Sequence, residues 1–236
     1  MHFTINVGSM MDFLSPAIGM GFEDLGFAFS KDSISYAGLD LTHTYMMKNT
    51  LSVEVEELDP IDSTVLIAMS KLMAILKTLE KDSDCTITIK DGLATIKSGK
   101  FRRSLRMEMN PDSKMPKIPT FDHVAKVTTT VEALKRTLKR IGGLSDHYTF
   151  LVGEHSCVMT AQNESAEDAY DEVEGETVNG SGSTVSASFS CQYIDPLVQK
   201  ALLLGTPVVL ELTTDHPVTV TQNNLMLMIA PRIGEE

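Results

Sequence analysis

Segments with helical hydrophobic periodicity recur at nearly equal intervals along this chain, and this spacing restricts the possible folds more than any other feature of the sequence. The segments cover residues 8–20, 63–79, 130–141 and 193–203, and helix starts taken near residues 9, 69, 130 and 192 follow one another at intervals of about 60 residues. A fixed interval of this kind indicates internal duplication. We therefore predict four copies of one structural unit, and the 236 residues are enough for two domains of two copies each.

Between the helical segments, the sequence is typical of short β-strands. Alternating or β-branched runs at residues 33–37, 85–89, 93–96 and 208–212 fit strands with one buried face. Asp91-Gly92 separates the second run from the third and indicates a hairpin, because this pair tolerates the positive φ angles of a tight turn. Each copy is predicted to be one strand, one helix and then further strands, which places the chain in the α+β class.

The middle of the chain contains the best candidate for a domain linker. Residues 110–119 include three prolines and show no periodicity, and such a run favours an irregular connection over a helix or strand. We predict an N-terminal domain at residues 1–109, a connecting loop at 110–120 and a C-terminal domain at 121–236.

Basic residues collect on one face of the predicted helices. In the clearest helix, Val131, Leu134 and Leu138 share one face at helical spacing, and the opposite face is basic. Such a face is either simply solvated or a contact surface for a polyanion, and the pattern alone favours the solvated interpretation. The basic residues of the predicted helical segments are Lys71, Lys77, Lys81, Lys135, Arg136, Lys139, Arg140 and Lys200.

Opposite charges are segregated elsewhere in the chain. The net charge of −12 argues by itself against nucleic-acid binding. However, residues 97–106 include five basic residues and no acid, whereas residues 164–176 include seven acidic residues and no base. Two such edges suit head-to-tail association, because the basic edge of one copy would meet the acidic edge of the next. The alternatives are a charged edge strand that prevents aggregation and a solvated acidic loop.

No motif in the sequence predicts catalysis or metal binding. The six histidines do not have the spacing of metal ligands, and the three cysteines are far apart, which favours a reducing compartment over disulfides or zinc. Ser145-Asp146-His147 contains the residue types of a catalytic triad, but adjacent residues do not form one. No apolar run reaches the ~18 residues of a membrane span. We expect a cytoplasmic protein that is not an enzyme and needs no metal or cofactor.

Short motifs along the whole chain resemble those of one protein family. Residues 227–233, Leu-Met-Ile-Ala-Pro-Arg-Ile, are similar to the Leu-Ala-Pro-Arg/Lys-Ile-Glu ending of archaeal and eukaryotic sliding clamps, the proliferating cell nuclear antigen (PCNA) family. Residues 144–150 resemble the archaeal Ser-Asp-His-Val-Thr-Phe, residues 39–44 the family's Asp-x-Ser-His-Val, and residues 69–72 its Met-Ser-Lys-Ile helix. Ile118-Pro119 occurs where the family's connecting loop ends in Ile-Pro.

The resemblance implies a DNA clamp fold, in which each subunit has two similar domains of two β-α-β-β-β units and three subunits form a ring lined by helices. The implied function is that of a processivity factor, which encircles duplex DNA and tethers DNA polymerase and other replication and repair proteins. The implied partners are double-stranded DNA of any sequence, the clamp loader and proteins that carry the short PIP-box motif. An archaeal or viral origin is favoured, with a nuclear location if the protein is eukaryotic.

The resemblance also assigns roles to residues. The eight basic residues of the helical segments become a DNA-facing surface, although the first helix contributes none, because no Lys or Arg precedes Lys31. The implied pocket for the PIP box comprises Leu39, His43, Thr44, Met46, Ile118, Pro119, Pro217, Met228, Ala230, Pro231 and Ile233. From the segregated charge we expect a subunit interface at Arg102, Arg103, Arg106, Asp171, Glu172 and Glu174.

Two alternatives stay open. A subunit of a mixed or checkpoint-type ring would show one functional edge, whereas this chain has both a basic and an acidic edge. A hydrolase or other small-molecule enzyme of two α+β domains would need a convergent polar cluster in a cleft, and the sequence offers none.

Overall fold

Four copies of one β-α-β-β-β unit follow one another in the computed structural model, which describes residues 1–56, 64–110 and 115–233. The helices of the four copies start at intervals of 62, 62 and 60 residues, so the predicted interval is confirmed. They are α1 (Val7–Gly19), α2 (Met69–Leu76), α3 (Val131–Ile141) and α4 (Cys191–Pro196).

The strands confirm the predicted composition of the copies. One strand precedes each helix and three follow it, which gives β1-α1-β2-β3-β4, β6-α2-β7-β8-β9, β11-α3-β12-β13-β14 and β16-α4-β17-β18-β19. Their bounds are β1 (His2–Asn6), β2 (Asp24–Phe29), β3 (Ser33–Leu39), β4 (Tyr45–Ser52), β5 (Val55–Glu56), β6 (Thr64–Ala68), β7 (Asp84–Lys90), β8 (Leu93–Ser98), β9 (Phe101–Arg106), β10 (Glu108–Asn110), β11 (Ala125–Thr130), β12 (His147–Val152), β13 (Cys157–Gln162), β14 (Asp168–Glu172), β15 (Gly175–Asn179), β16 (Val185–Ser190), β17 (Pro207–Leu212), β18 (Val218–Gln222) and β19 (Leu225–Ile229).

The chain divides into two compact units. Unit 1 comprises Met1–Leu39 and Met47–Ile118, and unit 2 comprises Asp40–Met46 and Pro119–Glu236. The division between Ile118 and Pro119 falls inside the segment 110–120 that we predict to be a connecting loop. Residues 111–114 of that segment lie outside the described residues, and the domain boundaries stay a prediction.

The two units repeat the same strand order. Unit 1 has the sheet orders β5-β1-β7-β8-β9 and β10-β6-β2-β3-β4, and unit 2 has β15-β11-β17-β18-β19 and β16-β12-β13-β14. Within the described residues, each strand of unit 2 has the same place in its sheet as the corresponding strand of unit 1. Unit 1 has one further strand, β10. The duplication therefore extends from the sequence interval to the hydrogen-bonded order of the strands.

The cores are built from apolar residues of helices and sheets together. In unit 1, the ring of Phe13 on α1 lies 4.8 Å from that of Tyr36 on β3, and the Tyr36 hydroxyl donates a hydrogen bond to the Phe13 carbonyl at 3.0 Å. Burial raises the pKa of Tyr36, and the phenol stays neutral in its hydrogen bond. In unit 2, Leu134 of α3 faces the same small apolar cavity as Phe150 of β12 and Leu210 of β17.

The hairpin predicted at Asp91-Gly92 is confirmed. β7 and β8 pair up to Lys90 and Leu93 on either side of the turn. Asp91 has φ 52° and Gly92 has φ 72°, which are the positive values that a two-residue hairpin of this twist requires.

The prediction of one helix over residues 63–79 is wrong at both ends. Residues 64–68 form β6, which pairs with β2 from Val65 to Ala68, and α2 covers only Met69–Leu76. The periodicity of a short apolar run such as Val65-Leu66-Ile67 fits a strand as well as a helix. Here the hydrogen bonds to β2 favour the strand. Residue 63 lies outside the described residues. Lys77 is the C-cap of α2 and Lys81 follows the helix, so neither is on its face as predicted.

The predicted bounds of the helix over residues 193–203 are also corrected by the structure. The helix begins two residues earlier, as α4, and continues as a π-helical turn over Leu197–Ala201. Pro196 lies at the junction, where the missing backbone N–H of proline favours a change in hydrogen-bonding pattern.

Candidate functional site

The helix α3 is the most strongly divided into an apolar and a charged face. Its N-cap Thr130 accepts a hydrogen bond from the backbone N–H of Ala133 at 3.1 Å. Glu132 lies in the first turn and Lys139 and Arg140 in the last, an arrangement that complements the helix dipole. The apolar residues predicted to face inward are buried, so both faces of the predicted helix are confirmed.

Two basic side chains of α3 bind carboxylates of the same unit. Arg136 donates to the carboxylate of Glu174, and Arg140 Nη1 donates to Asp171 Oδ1 at 2.8 Å. Thr137 Oγ1 donates to the other oxygen of Asp171 at 3.0 Å. The Asp171 side chain is only 16% exposed, and both its oxygens have partners inside unit 2. The structure thus joins residues predicted for DNA contact to residues predicted for the subunit interface.

The other predicted DNA-facing residues are accessible. Lys135 is half-buried and Lys139 is exposed, and neither forms an ion pair with a described residue. Lys200 is exposed on the π-helical turn of unit 2. In unit 1, Lys71 and Lys77 are exposed, and Lys81 Nζ lies 4.0 Å from the Asp12 carboxylate on α1. Their contact with DNA stays a prediction.

The basic stretch of the sequence forms an edge strand of unit 1. β9 lies at the end of its sheet, and its residues Arg102 and Arg106 share the face of Lys97 on β8. Lys97 and Arg102 are direct cross-strand partners, and like charges in this position repel. Arg103 stands opposite buried Ile96, on the inner face. Within the described residues, none of Arg102, Arg103 and Arg106 forms an ion pair that would offset this repulsion.

The acidic stretch forms an edge strand of unit 2. β14 pairs only with β13 among the described strands. Asp171 lies opposite buried Met159, so it points to the inner face, whereas Asp168, Tyr170 and Glu172 point outward. Tyr170 is 75% exposed. The alternative of a solvated acidic loop does not describe this stretch, because residues 168–172 and 175–176 are in strands.

A single carboxylate holds the segment 40–46, which belongs to unit 2 and consists of the loop 40–44 and the start of β4. Asp40 accepts backbone hydrogen bonds from Thr42, Thr44 and Tyr45 at 3.1, 2.6 and 2.7 Å, and also the Thr42 hydroxyl. Burial would raise the pKa of Asp40, but these hydrogen bonds outweigh it and hold the pKa below its ordinary value. His43 has φ 58° at the tip. The tyrosine rings of Tyr45 and Tyr193 lie 5.4 Å apart beneath the loop.

The segment after β19 is tied down at two points in unit 2. The Ala230 N–H donates to the Thr44 carbonyl at 2.8 Å, and the Arg232 N–H donates to the Ser188 carbonyl at 2.7 Å. The Arg232 guanidinium also binds the Asp146 carboxylate. Hydrogen bonds from Arg232 and then from His147 lower the pKa of Asp146 to about 2. The segment that resembles the clamp ending therefore has a fixed course along unit 2.

The residues predicted for the partner pocket divide between the two units. Met228 is 6% exposed, a core position, whereas Ile233 is 78% exposed. Leu39 and Ile118 belong to unit 1. Unit 2 contains His43, Thr44, Met46, Pro119, Pro217, Met228, Ala230, Pro231 and Ile233.

A cluster of aromatic and histidine rings next to Pro217 escaped the sequence analysis. The ring of Phe121 lies 6.2 Å from that of His123 and 6.4 Å from that of His216. His123 Nε2 is 2.8 Å from Thr219 Oγ1, and its Nδ1 is buried without a hydrogen-bond partner. Residues 121, 123 and 216 show no common spacing, so the sequence alone gave no signal for this cluster.

Ser145, Asp146 and His147 do not form a catalytic relay. Ser145 Oγ and Asp146 Oδ1 lie 3.2 and 2.8 Å from the same ring nitrogen, Nδ1 of His147. A triad requires the hydroxyl and the carboxylate on opposite nitrogens of the imidazole.

Among the described residues, no group of three or more His, Cys, Asp or Glu side chains could hold a metal ion. No helix in the described part of the chain is long and apolar enough to span a membrane.

The duplicated unit, its strand order and its α+β composition define the fold of the PCNA-type DNA sliding clamps. The chain is similar over its full length to the A. fulgidus PCNA seen with the C-terminal region of FEN-1 bound, at 17% identity and a TM-score of 0.81, covering 100% of this chain and 99% of that one. Thermococcus kodakaraensis PCNA is 13% identical with a TM-score of 0.82, and the match covers 98% of this chain and 99% of that one. Entamoeba histolytica PCNA is 19% identical with a TM-score of 0.83, and the match covers 98% of each chain. No protein-family model and no curated protein sequence matches the chain.

Proposed function

We propose that this protein is a DNA sliding clamp, in which three copies form a ring around duplex DNA and tether proteins that act on it. The full-length likeness to three PCNA structures carries the proposal. The charges of the described residues supply independent support for the ring and for contact with a DNA duplex, and the course of residues 230–232 supports a site for a tethered protein.

The two edge strands support closure of the ring. Exposed strand edges pair readily with other strands, and β9 of one copy can add to β14 of the next. If β9 and β14 pair in antiparallel orientation with their inner faces on the same side of the joined sheet, Arg102 and Arg106 meet the outward face of β14. That face carries Asp168, Tyr170 and Glu172, so both opposite charges and a cation–π contact become available.

The exposed lysines of the helical segments support contact with DNA. Lys139 and Lys200 are exposed in unit 2, and Lys71 and Lys77 in unit 1. Binding of phosphates by lysines is independent of base sequence and weakens with salt. Such contacts hold a duplex without fixing a position, which is the requirement for sliding.

The course of residues 230–232 supports a site for partner proteins. Backbone bonds to Thr44 and Ser188 hold this segment beside the loop 40–44. The A. fulgidus PCNA binds the C-terminal region of FEN-1. By analogy, this chain takes up a short segment of DNA polymerase, clamp loader or repair proteins at the predicted pocket residues, and it has no catalytic activity of its own.

Absolute mass measured by size-exclusion chromatography with light scattering tests the ring. A chain of 25.9 kDa gives 77.7 kDa for three copies. We expect this mass at low salt and partial dissociation at high salt, because salt screens exposed ion pairs. The trimer should also remain on nicked circular DNA after loading and leave when the circle is linearised.

A mass of 25.9 kDa at every salt concentration would contradict the homotrimer and favour a mixed ring, in which other subunits supply the missing edges. Equal retention on circular and linear DNA would contradict encirclement, because a ring is held by topology and an ordinary DNA-binding protein is not.

A further inference from the structure

We propose that α3 divides its four basic residues between two tasks, with Arg136 and Arg140 positioning the acidic edge strand β14 for the next subunit and Lys135 and Lys139 facing DNA. This inference rests on the proposed clamp function and changes the roles that the family resemblance implies. It follows from the ion pairs of α3 and from the shape of the chain at the end of β14.

The two pairs of basic residues lie on different sides of the exposed arc of α3. With about 100° of rotation per residue, Lys135 and Lys139 lie about 40° and 80° from Val131 around the axis, and Arg136 and Arg140 about 140° and 180°. The lysine side borders Leu138, which faces the same apolar cavity as Leu197 on the π-helical turn. That turn also carries Lys200. The arginine side borders Thr137, which bonds Asp171 of β14.

The arginines hold a corner of the chain that several other contacts also fix. Between β14 and β15 the chain passes from one sheet to the other through Val173 and Glu174. The Val173 N–H donates to the Cys157 carbonyl at 2.8 Å, and Thr129 Oγ1 donates to the Glu174 carbonyl at 2.6 Å. A Cβ at Gly175 would lie 2.3 Å from the Thr128 carbonyl oxygen. The backbone has little freedom here, and the direction of β14 depends on this corner.

Arg140 and Arg136 act on opposite sides of the same corner. Arg140 binds the inward carboxylate of Asp171, one residue from the end of β14, and Arg136 binds the side chain of Glu174 in the turn itself. The outward residues Tyr170 and Glu172 keep their direction only while this edge stays in place. The arginines are therefore positioning residues for the surface that β9 of the next copy would contact.

A cation that is already paired with a carboxylate contributes little to DNA affinity. The salt dependence of DNA binding counts the phosphates whose counterions are released. Arg136 and Arg140 would have to leave Glu174 and Asp171 before they could bind a phosphate. Lys135 and Lys139 have no such partner among the described residues, and they can bind phosphates directly.

A matched pair of double variants separates the two tasks. Arg136→Gln with Arg140→Gln and Lys135→Gln with Lys139→Gln each remove two positive charges from α3, so a general electrostatic effect would be equal in both. The arginine variant should dissociate at a protein concentration about tenfold higher than the wild type, since Asp171 is mostly buried and loses its charged partner. The lysine variant should keep the wild-type dissociation.

The salt dependence of DNA binding is then measured where both variants are trimeric by light scattering. The lysine variant should reduce the slope of log K against log salt by up to about 5.4, because the trimer loses two lysines from each of three subunits and each phosphate contact contributes about 0.9. The arginine variant should leave the slope unchanged. If the arginine variant lowers the slope and leaves dissociation unchanged, the arginines are DNA contacts and the inference is overturned.

A charge swap guards against a simple failure to fold. Arg136→Glu should weaken the trimer, and adding Glu174→Arg should restore it, because the ion pair returns with its ends exchanged. Arg136 and Glu174 are both well exposed, so the single variant should keep the circular dichroism of the wild type. Failure of the swap to restore the trimer would overturn the inference. A wild type that never forms a ring would instead overturn the proposed function, and this inference with it.

Discussion

Unit 1 and unit 2 have the same strand order but different charged surfaces. The first helix of each unit begins with a fully buried valine, Val7 or Val131, after an N-cap side chain that binds the third residue of the helix. Yet α1 has no basic residue, whereas α3 has four. The free edge of unit 1 is basic and that of unit 2 is acidic.

The difference shows which residues the duplicated fold requires. Buried apolar positions and helix caps recur because each copy must bury one helix face and satisfy the first N–H groups of its helix. Exposed positions carry no such requirement, so charge can differ between copies without changing the fold. A head-to-tail ring needs this inequality, because two identical edges would repel each other.

Reversal of the basic edge should have the largest effect. In Arg102→Glu with Arg106→Glu, glutamates on the outward face of β9 would meet Asp168 and Glu172 of β14, and like charges placed opposite each other cost several kcal/mol. We expect the mass from light scattering to fall from 77.7 to 25.9 kDa. Lys31→Glu with Lys90→Glu makes the same change in net charge at exposed positions outside β9 and should stay trimeric. A trimeric arginine variant would show that β9 does not form the interface.

Transfer of the lysine side of α3 to α1 should have the next largest effect. If the helices are aligned at Val7 and Val131, Met11 and Ser15 correspond to Lys135 and Lys139. Met11→Lys with Ser15→Lys adds six lysines to the trimer and should steepen the salt dependence of DNA binding by up to about 5.4, and Met11→Gln with Ser15→Gln should leave it unchanged. An unchanged slope in the lysine variant would mean that α1 does not face the duplex as α3 does.

Removal of the shared caps should have a smaller effect on stability. Asn6→Ala and Thr130→Ala each remove an N-cap hydrogen bond of 3.1 Å, at a cost of about 1 kcal/mol. For a chain of this size, this corresponds to a decrease in Tm of about 2–4 °C. Ser190, the N-cap of α4, makes no side-chain cap bond, so Ser190→Ala is the control. Equal effects at all three positions would contradict the role of the caps.

Acidification should produce the smallest effect, and only through unit 2. Burial lowers the pKa of His123 from its ordinary value of 6.5. The nearby His216 lowers it further, whereas the negative charges of Glu211 and Asp122 act in the opposite direction without cancelling the decrease. The unfolded chain therefore binds this proton more readily than the folded one, and stability decreases as pH falls through about 6.5. His123→Gln should reduce the decrease in Tm between pH 8 and 5.5, whereas exposed His155→Gln should not. A pH profile unaffected by His123→Gln would exclude this residue as the source.

The sequence was sufficient for the repeat and for α3, because both follow from local periodicity. It was insufficient for residues 65–68, where an apolar run of four residues fits two structures and pairing with β2 selects the strand. The change to a π-helical turn after Pro196 was equally beyond reach, since the apolar spacing of residues 197–201 does not distinguish a π-helical turn from an α-helix.

The partners of charged residues were harder to predict than their positions. Arg140 and Asp171 are 31 residues apart and Arg136 and Glu174 are 38 apart, and they meet only because β14 runs beside α3. The pattern of the acidic stretch has a charge on both faces of the strand, so alternation could not show that Asp171 alone points inward.

The order of strands also bears on how the chain folds. β1 pairs with β7, so that His2 lies opposite Thr88, and β11 pairs with β17, so that Thr130 lies opposite Pro207. The hairpins β2–β3 and β12–β13 can form as soon as they leave the ribosome, but the partners of β1 and β11 lie 77 to 87 residues further along the chain. Pairing over such separations slows folding. Each unit therefore completes its first sheet late, and until then one of its strands offers unpaired backbone to a neighbouring chain.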